Sequence, residues 1–334
     1  MTIVHKLQEH GLISPPKWLP DNLAYLVIMG SMAYGVNTDT SDMDVYGFAV
    51  PPKEIVFPHL TGYIPGFGNH PEKFDQWSEH HIRQNQKEYD FSVYSIVRYF
   101  DLCRENNPNM IDSLFVPDNC VMFQSKVGEI VRENKHAFLH KGAFHKYKGY
   151  AYAQIGRYKS LSPESKLGSI RIKMGEEGLE FDAFKEKVDS GELVLSASMK
   201  RDFDGLNERQ INTIKEGVDR KAMYHVVRLM NELEQILTTG TLDLQINREQ
   251  LKSIRRGEWT PEQIFEYFER KEAELDGIQL TSNVLPHGPN MKQLHSILVS
   301  CLEEVYGSLD NMISQNKDDR LLVELKGLVK KFDV

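Results

Sequence analysis

The chain has 334 residues, with 40 Lys and Arg against 48 Asp and Glu, for a formal net charge of −8. Hydrophobic residues make up 40% and charged residues 26%. That balance excludes a disordered or collagen-like chain and leaves enough apolar side chains for a sizeable core. The acidic excess excludes coating of duplex nucleic acid by a broad basic face, but it leaves room for a local basic groove. Cys103, Cys120 and Cys301 cannot all pair and lack Cys-x-x-Cys spacing, so buried thiols in a reducing compartment are expected. Residues 1–20 carry His5, Lys6, Gln8, Glu9 and His10 with no sustained apolar run, so no signal peptide is expected. The most apolar stretch, residues 23–36, is cut by Gly30 and Ser31 and is shorter than the roughly 20 residues of a membrane span. The expectation is a cytoplasmic protein without membrane contact.

In chain order, residues 23–29 form an apolar run closed by Gly30, which suits a buried strand ending in a turn. Residues 43–50 read as a second strand, stopped by Pro51-Pro52. Residues 57–86 are rich in Gly, Pro, His and Asn without a sustained period, and are expected to form a long irregular excursion near a site. Residues 88–93 alternate as a third strand should and run straight into a helix over 95–103. Beyond about residue 125 strand signals fade. Helices are expected over 212–239 (ending at Gly240), from Thr260 to about Leu275, and over 291–306 and 319–332. Residues 176–204, charged and weakly periodic, are expected to be a mobile insert. The predicted architecture is α+β: a small mixed-sheet head over 1–125, followed by an all-helical domain over 126–334.

The chemistry is concentrated in Gly30-Ser31 and, ten residues on, Asp42-Met43-Asp44. Alternation along a strand puts Asp42 and Asp44 on one face with Cα atoms about 7 Å apart. Two carboxylates so placed can grip Mg²⁺, which takes oxygen ligands and shares them with substrate phosphates. Gly30 allows close backbone approach to a phosphate, and Ser31 opens a helical turn with free N–H groups and a hydroxyl. On the third strand Glu88, Asp90 and Ser92 point one way and Tyr89, Phe91 and Val93 the other. Asp90 is expected to complete a three-carboxylate site and act as general base, with Glu88 as the fallback. Taken singly, Gly-Ser is an ordinary turn and Asp-x-Asp an ordinary pair of solvated acids. Their order, between apolar strands, is what makes a site.

These residues resemble the DNA polymerase beta-like nucleotidyltransferase superfamily. The stretch Thr38 to Gly47, Tyr99-Phe100-Asp101-Leu102 with Asn107-Pro108-Asn109-Met110-Ile111-Asp112, and Lys148-Gly149-Tyr150 are similar to predicted bacterial and phage nucleotidyltransferases associated by name with RNA repair. The resemblance extends through Lys221 to Leu229 and Ser282-Asn283-Val284-Leu285-Pro286. It implies a small mixed sheet with helices on one face and transfer of a nucleoside monophosphate from an NTP, with two Mg²⁺ ions, or Mn²⁺ in their place. It implies Asp42, Asp44 and Asp90 as metal ligands and catalytic residues, and Gly30 and Ser31 on the β- and γ-phosphates.

In the helical part Lys221, His225 and Arg228 fall at i, i+4 and i+7 and share one face. They could hold phosphates or form a solvated polar face. Tyr147, Lys148, Tyr150, Tyr152, Gln154, Arg157 and Tyr158 interleave basic and aromatic groups in a way that could stack a base and grip a backbone. Lys148, Lys221 and His225 are therefore the candidate nucleotide-binding residues of this part. His59, His70, His80 and His81 lack the partners and spacing of a zinc site. The expected acceptor is an RNA 3′ end. The alternatives are nucleotidylation of a protein or small molecule, and a catalytically silent nucleotide or RNA sensor.

Overall fold

The apolar run becomes β1 (Leu23–Ile28), in which every residue is buried. It follows α1 (Ile3–Glu9) and leads through a one-turn helix, α2 (Gly30–Ala33), to β2 (Met43–Ala49). The chain here is a computed structural model that describes residues 1–38, 41–57, 73–158, 161–307, 325 and 328, without the side chains of 157 and 158. After α3 (Lys53–Val56) come β3 (Gln76–Gln84), β4 (Lys87–Ser95), α4 (Ile96–Arg104), α5 (Pro108–Phe115), β5 (Val121–Gln124) and α6 (Lys126–Glu133). The strands form one mixed sheet in the order β3-β4-β2-β1-β5. Only β2 and β4 run parallel, with Asp44 opposite Asp90; the other neighbours are antiparallel. Tyr25 on β1, Phe48 on β2 and Tyr99 on α4 pack their rings together, with Phe48 and Tyr99 centroids 4.7 Å apart. Local chemistry starts the two helices that follow β4. The Ser95 side chain accepts from Arg98 N at the head of α4, and Asn107 accepts from Met110 N ahead of Pro108 in α5.

Helices then take over with α7 (Ala143–Tyr158), α8 (Lys166–Glu176), α9 (Phe181–Ser190), α10 (Ala197–Asp204), α11 (Glu208–Glu216), α12 (Arg220–Thr239), α13 (Arg248–Arg255) and α14 (Pro261–Thr281). Packing divides the chain into two units, Met1–His140 with Gly288–Val334, and Lys141–His287. The divisions between these units fall after His140 and after His287. In the second unit α12 is the central helix, packed by α7, α13 and α14. In the first, α15 (Met291–Tyr306) packs on α6 and α4, and the Tyr306 hydroxyl donates to the Pro51 carbonyl. Among the described residues no helix is long and apolar enough to cross a membrane.

Four expectations change. Residues 76–84 are not irregular but form β3, an edge strand whose side chains are mostly polar and of which only Trp77 is buried. Residues 58–72 of that segment, with His59 and His70, lie outside the described residues. Residues 176–204 are not a loose insert: Phe181, Phe184, Val188 and Phe203 join Leu167, Ile170, Met174 and Ile214 in a small core built by α8 to α11. The helix expected over 212–239 is two. Gly217 ends α11 at φ +74°, and Asp219 starts α12 by accepting from Ala222 N while Arg209 pairs with it at 2.7 Å. Finally, α14 runs on to Thr281 from the Thr260–Gln263 capping box. The helix expected over 319–332 lies outside the described residues except for helical Leu325 and Leu328.

Candidate active site

The site grows from the point where β1 stops. Met29 N donates to the Asp44 carbonyl at 2.7 Å, which ties the end of β1 to β2 at the level of Asp44. The chain then turns at Gly30, whose φ of +63° favours glycine. A Cβ on Gly30 would stand 2.2 Å from Asp44 Oδ2, so the missing side chain is space that the Asp44 carboxylate uses. Next along the turn, Ser31 Oγ is buried and finds no hydrogen-bond partner among the described residues. Such a hydroxyl suits an incoming polar ligand, because an unsatisfied buried donor is costly. Tyr34, which closes the turn, donates its hydroxyl to Asp112 Oδ2 at 2.7 Å in the core. The Asn107–Asp112 motif thus supplies more than a helix start: its last residue anchors the turn. Ahead of β2, Thr38 N donates to Ser41 Oγ at 2.9 Å, while Asp39 and Thr40 lie outside the described residues.

Side-chain alternation on β2 and the parallel register of β4 bring three acids together. Ligand atoms of Asp42, Asp44 and Asp90 all lie within 4.8 Å of one another. Asp42 is exposed and the other two half-buried. Carboxylates this close repel, and a hard divalent cation among them would remove the repulsion and satisfy their oxygens. The donor set, three carboxylates open to solvent on one side, therefore fits Mg²⁺ or Mn²⁺ with a phosphate ligand sharing the ion.

Glu88, the fallback, is held elsewhere. His81 Nδ1 donates to its Oε1 at 2.7 Å and Arg83 Nε to its Oε2 at 2.9 Å. These bonds lower the Glu88 carboxyl below its usual range, and the Glu88 bond is the main reason the His81 imidazole is raised. Asp90 instead accepts the His81 backbone N–H at 2.7 Å, and His80 Nδ1 stands 3.6 Å from the same oxygen. The sequence assigns neither histidine a role and only excludes them from a zinc site. The only signal was two adjacent histidines interrupting an alternation.

Lys148, Lys221 and His225 belong to the second unit. Lys148 on α7 is engaged by Glu272 at 2.7 Å and Asp276 at 3.1 Å, both on α14, so its ammonium ties two helices together. Lys221 is exposed on the first turn of α12. His225 packs edge-on to Tyr224, with ring centroids 5.0 Å apart. Arg228 departs from both expected readings: it is buried and bonded to Glu232 at 3.0 Å, one turn along the helix, rather than solvated or free for phosphate. Of the aromatic–basic series on α7, Tyr147 is buried, Tyr150 and Tyr152 are exposed, and the side chains of Arg157 and Tyr158 lie outside the described residues.

No curated protein matches the chain. Among solved structures, a nucleotidyltransferase-like protein from Exiguobacterium sibiricum 255-15, determined at 1.90 Å, aligns over 98% of this chain and 89% of its own, at 11% identity and a TM-score of 0.26. A likeness of that size adds nothing to the fold described above. The family model named RlaP, described as the RNA repair pathway DNA polymerase beta family, matches residues 5–277. With the turn at Gly30 and the Asp-x-Asp strand inside that span, the chain belongs to this family and is a polymerase beta-like nucleotidyltransferase.

Proposed function

We propose that the protein transfers a nucleoside monophosphate from an NTP to the 3′ hydroxyl of an RNA, with Asp42, Asp44 and Asp90 as metal ligands. The observation that carries the reading is the convergence of those three carboxylates within 4.8 Å, beside a glycine whose missing side chain admits Asp44. Bound there, two Mg²⁺ ions would activate the attacking hydroxyl and stabilise the charge on the leaving pyrophosphate. Gly30 lets the backbone approach the β- and γ-phosphates, and the Ser31 hydroxyl donates to them. Asp90 orients the acceptor hydroxyl and takes its proton as the oxygen attacks the α-phosphorus. The bond from the α-phosphorus to the bridging oxygen breaks, and pyrophosphate departs. In the helical unit, the family resemblance of residues 221–229 supports Lys221 and His225 as nucleotide or acceptor contacts. Lys148, held by two acids, is assigned to joining α7 and α14.

The choice of RNA rests on the family description and on the exposed Tyr150 of α7; the neighbouring Tyr152 donates its hydroxyl to Glu272. The test incubates the protein with each α-³²P-labelled NTP, Mg²⁺ and pooled cellular RNA, beside an Asp42→Ala/Asp44→Ala control. Label should enter RNA 3′ ends only with the intact carboxylates. Label on polypeptide would move the acceptor to protein, and equal labelling by the control would overturn the assignment of the acids.

A further inference from the structure

The edge strand β3 contains a feature that the transfer reaction does not by itself require. Pairing with β4 is regular at Glu79 with Phe91 and again at Ile82 with Tyr89. Between these pairs two residues, His80 and His81, stand opposite one, Asp90. This is a β-bulge, a device that bends a strand and re-aims groups beside functional sites. His81 takes φ +59°, which L-residues adopt only at a cost. Strain of this kind persists only where the surroundings hold it.

Those surroundings are present on both flanks. Glu79, just before the bulge, accepts Ser14 N at 2.9 and 3.2 Å on its two oxygens. Gln84, just after it, hydrogen-bonds His10 at 2.8 Å. The His81 ring is itself moored to Glu88 at 2.7 Å. The backbone N–H that the bulge frees from ladder pairing goes to Asp90 Oδ1 at 2.7 Å.

We infer that the His80–His81 bulge is a positioning element: it turns the His81 N–H onto Asp90 and so fixes the orientation of that carboxylate towards Asp42 and Asp44. In a regular antiparallel ladder the residue opposite Asp90 would spend its N–H on the β4 main chain or point it away from the sheet edge. Asp90 Oδ1 would then lose that donor. With one oxygen held, the carboxylate presents its remaining lone pairs in one direction, and metal affinity gains from the pre-organisation. The inference rests on the proposed role of the three acids as metal ligands.

The test measures Mn²⁺ affinity by the loss of its free-ion electron paramagnetic resonance signal, on the full chain and without turnover. Four variants are compared with the natural protein. His81→Gly accepts φ +59° and keeps the N–H; His81→Val resists that backbone; His81→Ala is a milder version; Asp42→Ala removes a ligand. We expect His81→Val to weaken Mn²⁺ binding about tenfold, in the range of second-sphere ligand supports. His81→Ala should fall between it and the natural protein, and His81→Gly should bind like the natural protein, with circular dichroism unchanged. Ala carries the test if Val does not fold. Natural affinity in both Val and Ala would overturn the inference. So would an equal loss in Gly, which would credit the imidazole–Glu88 bond instead. Asp42→Ala binding as well as the natural protein would instead bring down the metal-site reading itself.

Discussion

Gly30 and Asp44 interlock: the hydrogen that glycine carries in place of a side chain faces Asp44 Oδ2, and a Cβ there would stand 2.2 Å from that oxygen. Gly30→Ala should therefore fail twice. The residue would pay about 1–2 kcal/mol for a left-handed backbone, and the methyl would push the Asp44 carboxylate off its position. Displacing a reacting group by about 1 Å can cost some 10²-fold in rate. We expect nucleotide transfer to fall at least that far, with a urea midpoint lowered by no more than the backbone term implies. A variant with full activity would show that Asp44 does not need this space.

The acids themselves should behave oppositely with respect to stability. Asp42→Asn and Asp44→Asn each remove one charge from a cluster whose oxygens lie within 4.8 Å. Without metal, that relieves repulsion, so thermal stability should stay within about 0.5 kcal/mol of the natural protein or rise. Transfer should drop about 10³-fold or more, as expected when electrostatic stabilisation of the transition state is lost. Adding Mn²⁺ should raise the melting temperature of the natural protein and leave both variants unmoved.

The contrast between these acids and their surroundings shows where sequence reasoning works. Asp42 and Asp44 share a face by strand alternation, which two residues suffice to specify. Strands β1 and β2 follow from apolar runs punctuated by Gly30 and Pro51, and β4 from an alternation that runs into α4 at Ser95. The parallel register that sets Asp90 opposite Asp44 is non-local and is fixed by packing across the sheet. Strand β3 escaped because an edge strand buries little, here only Trp77, and because its bulge breaks the period. The small core of α8 to α11 escaped for a related reason: few apolar side chains, three of them Phe, are spread over short charged helices. Arg228 reads in the sequence as either a phosphate contact or a solvated side chain, because nothing local marks Glu232 as its partner; only their shared burial reveals the pair.

Stability should also depend on pH through His140. The ring is buried, and its Nε2–H donates to the Arg104 carbonyl at 2.8 Å. Burial pushes the imidazole below its ordinary value, helped by the nearby Arg104 charge and opposed by that hydrogen bond. As pH falls below about 6.5, the unfolded chain takes up the proton before the folded one, so folding loses stability downwards through that window. The urea midpoint should fall from pH 7.5 to 5.5, and His140→Gln should show a shallower fall. Identical slopes for the two proteins would remove His140 from the account.

The Arg228–Glu232 pair in α12 offers a sharper energetic test, because both residues are almost fully buried, at 4% and 2% exposure. Their oxygen and nitrogen lie 3.0 Å apart one helical turn along the chain. Glu232→Ala removes the carboxylate bonded to the buried guanidinium, and breaking a buried pair in this way costs about 3–5 kcal/mol. Replacing both residues with apolar side chains of similar volume, Arg228→Met with Glu232→Leu, removes the charge together with its partner and should recover most of that loss. Denaturant unfolding of the three proteins decides the matter. A single substitution costing less than about 1 kcal/mol would mean that water reaches the pair, as it does for exposed ion pairs. The doubly substituted protein should also keep its transfer activity. Lys221 and His225, earlier on the same helix, are untouched by the exchange, and a loss of activity with stability restored would show that transfer needs the Arg228–Glu232 pair itself.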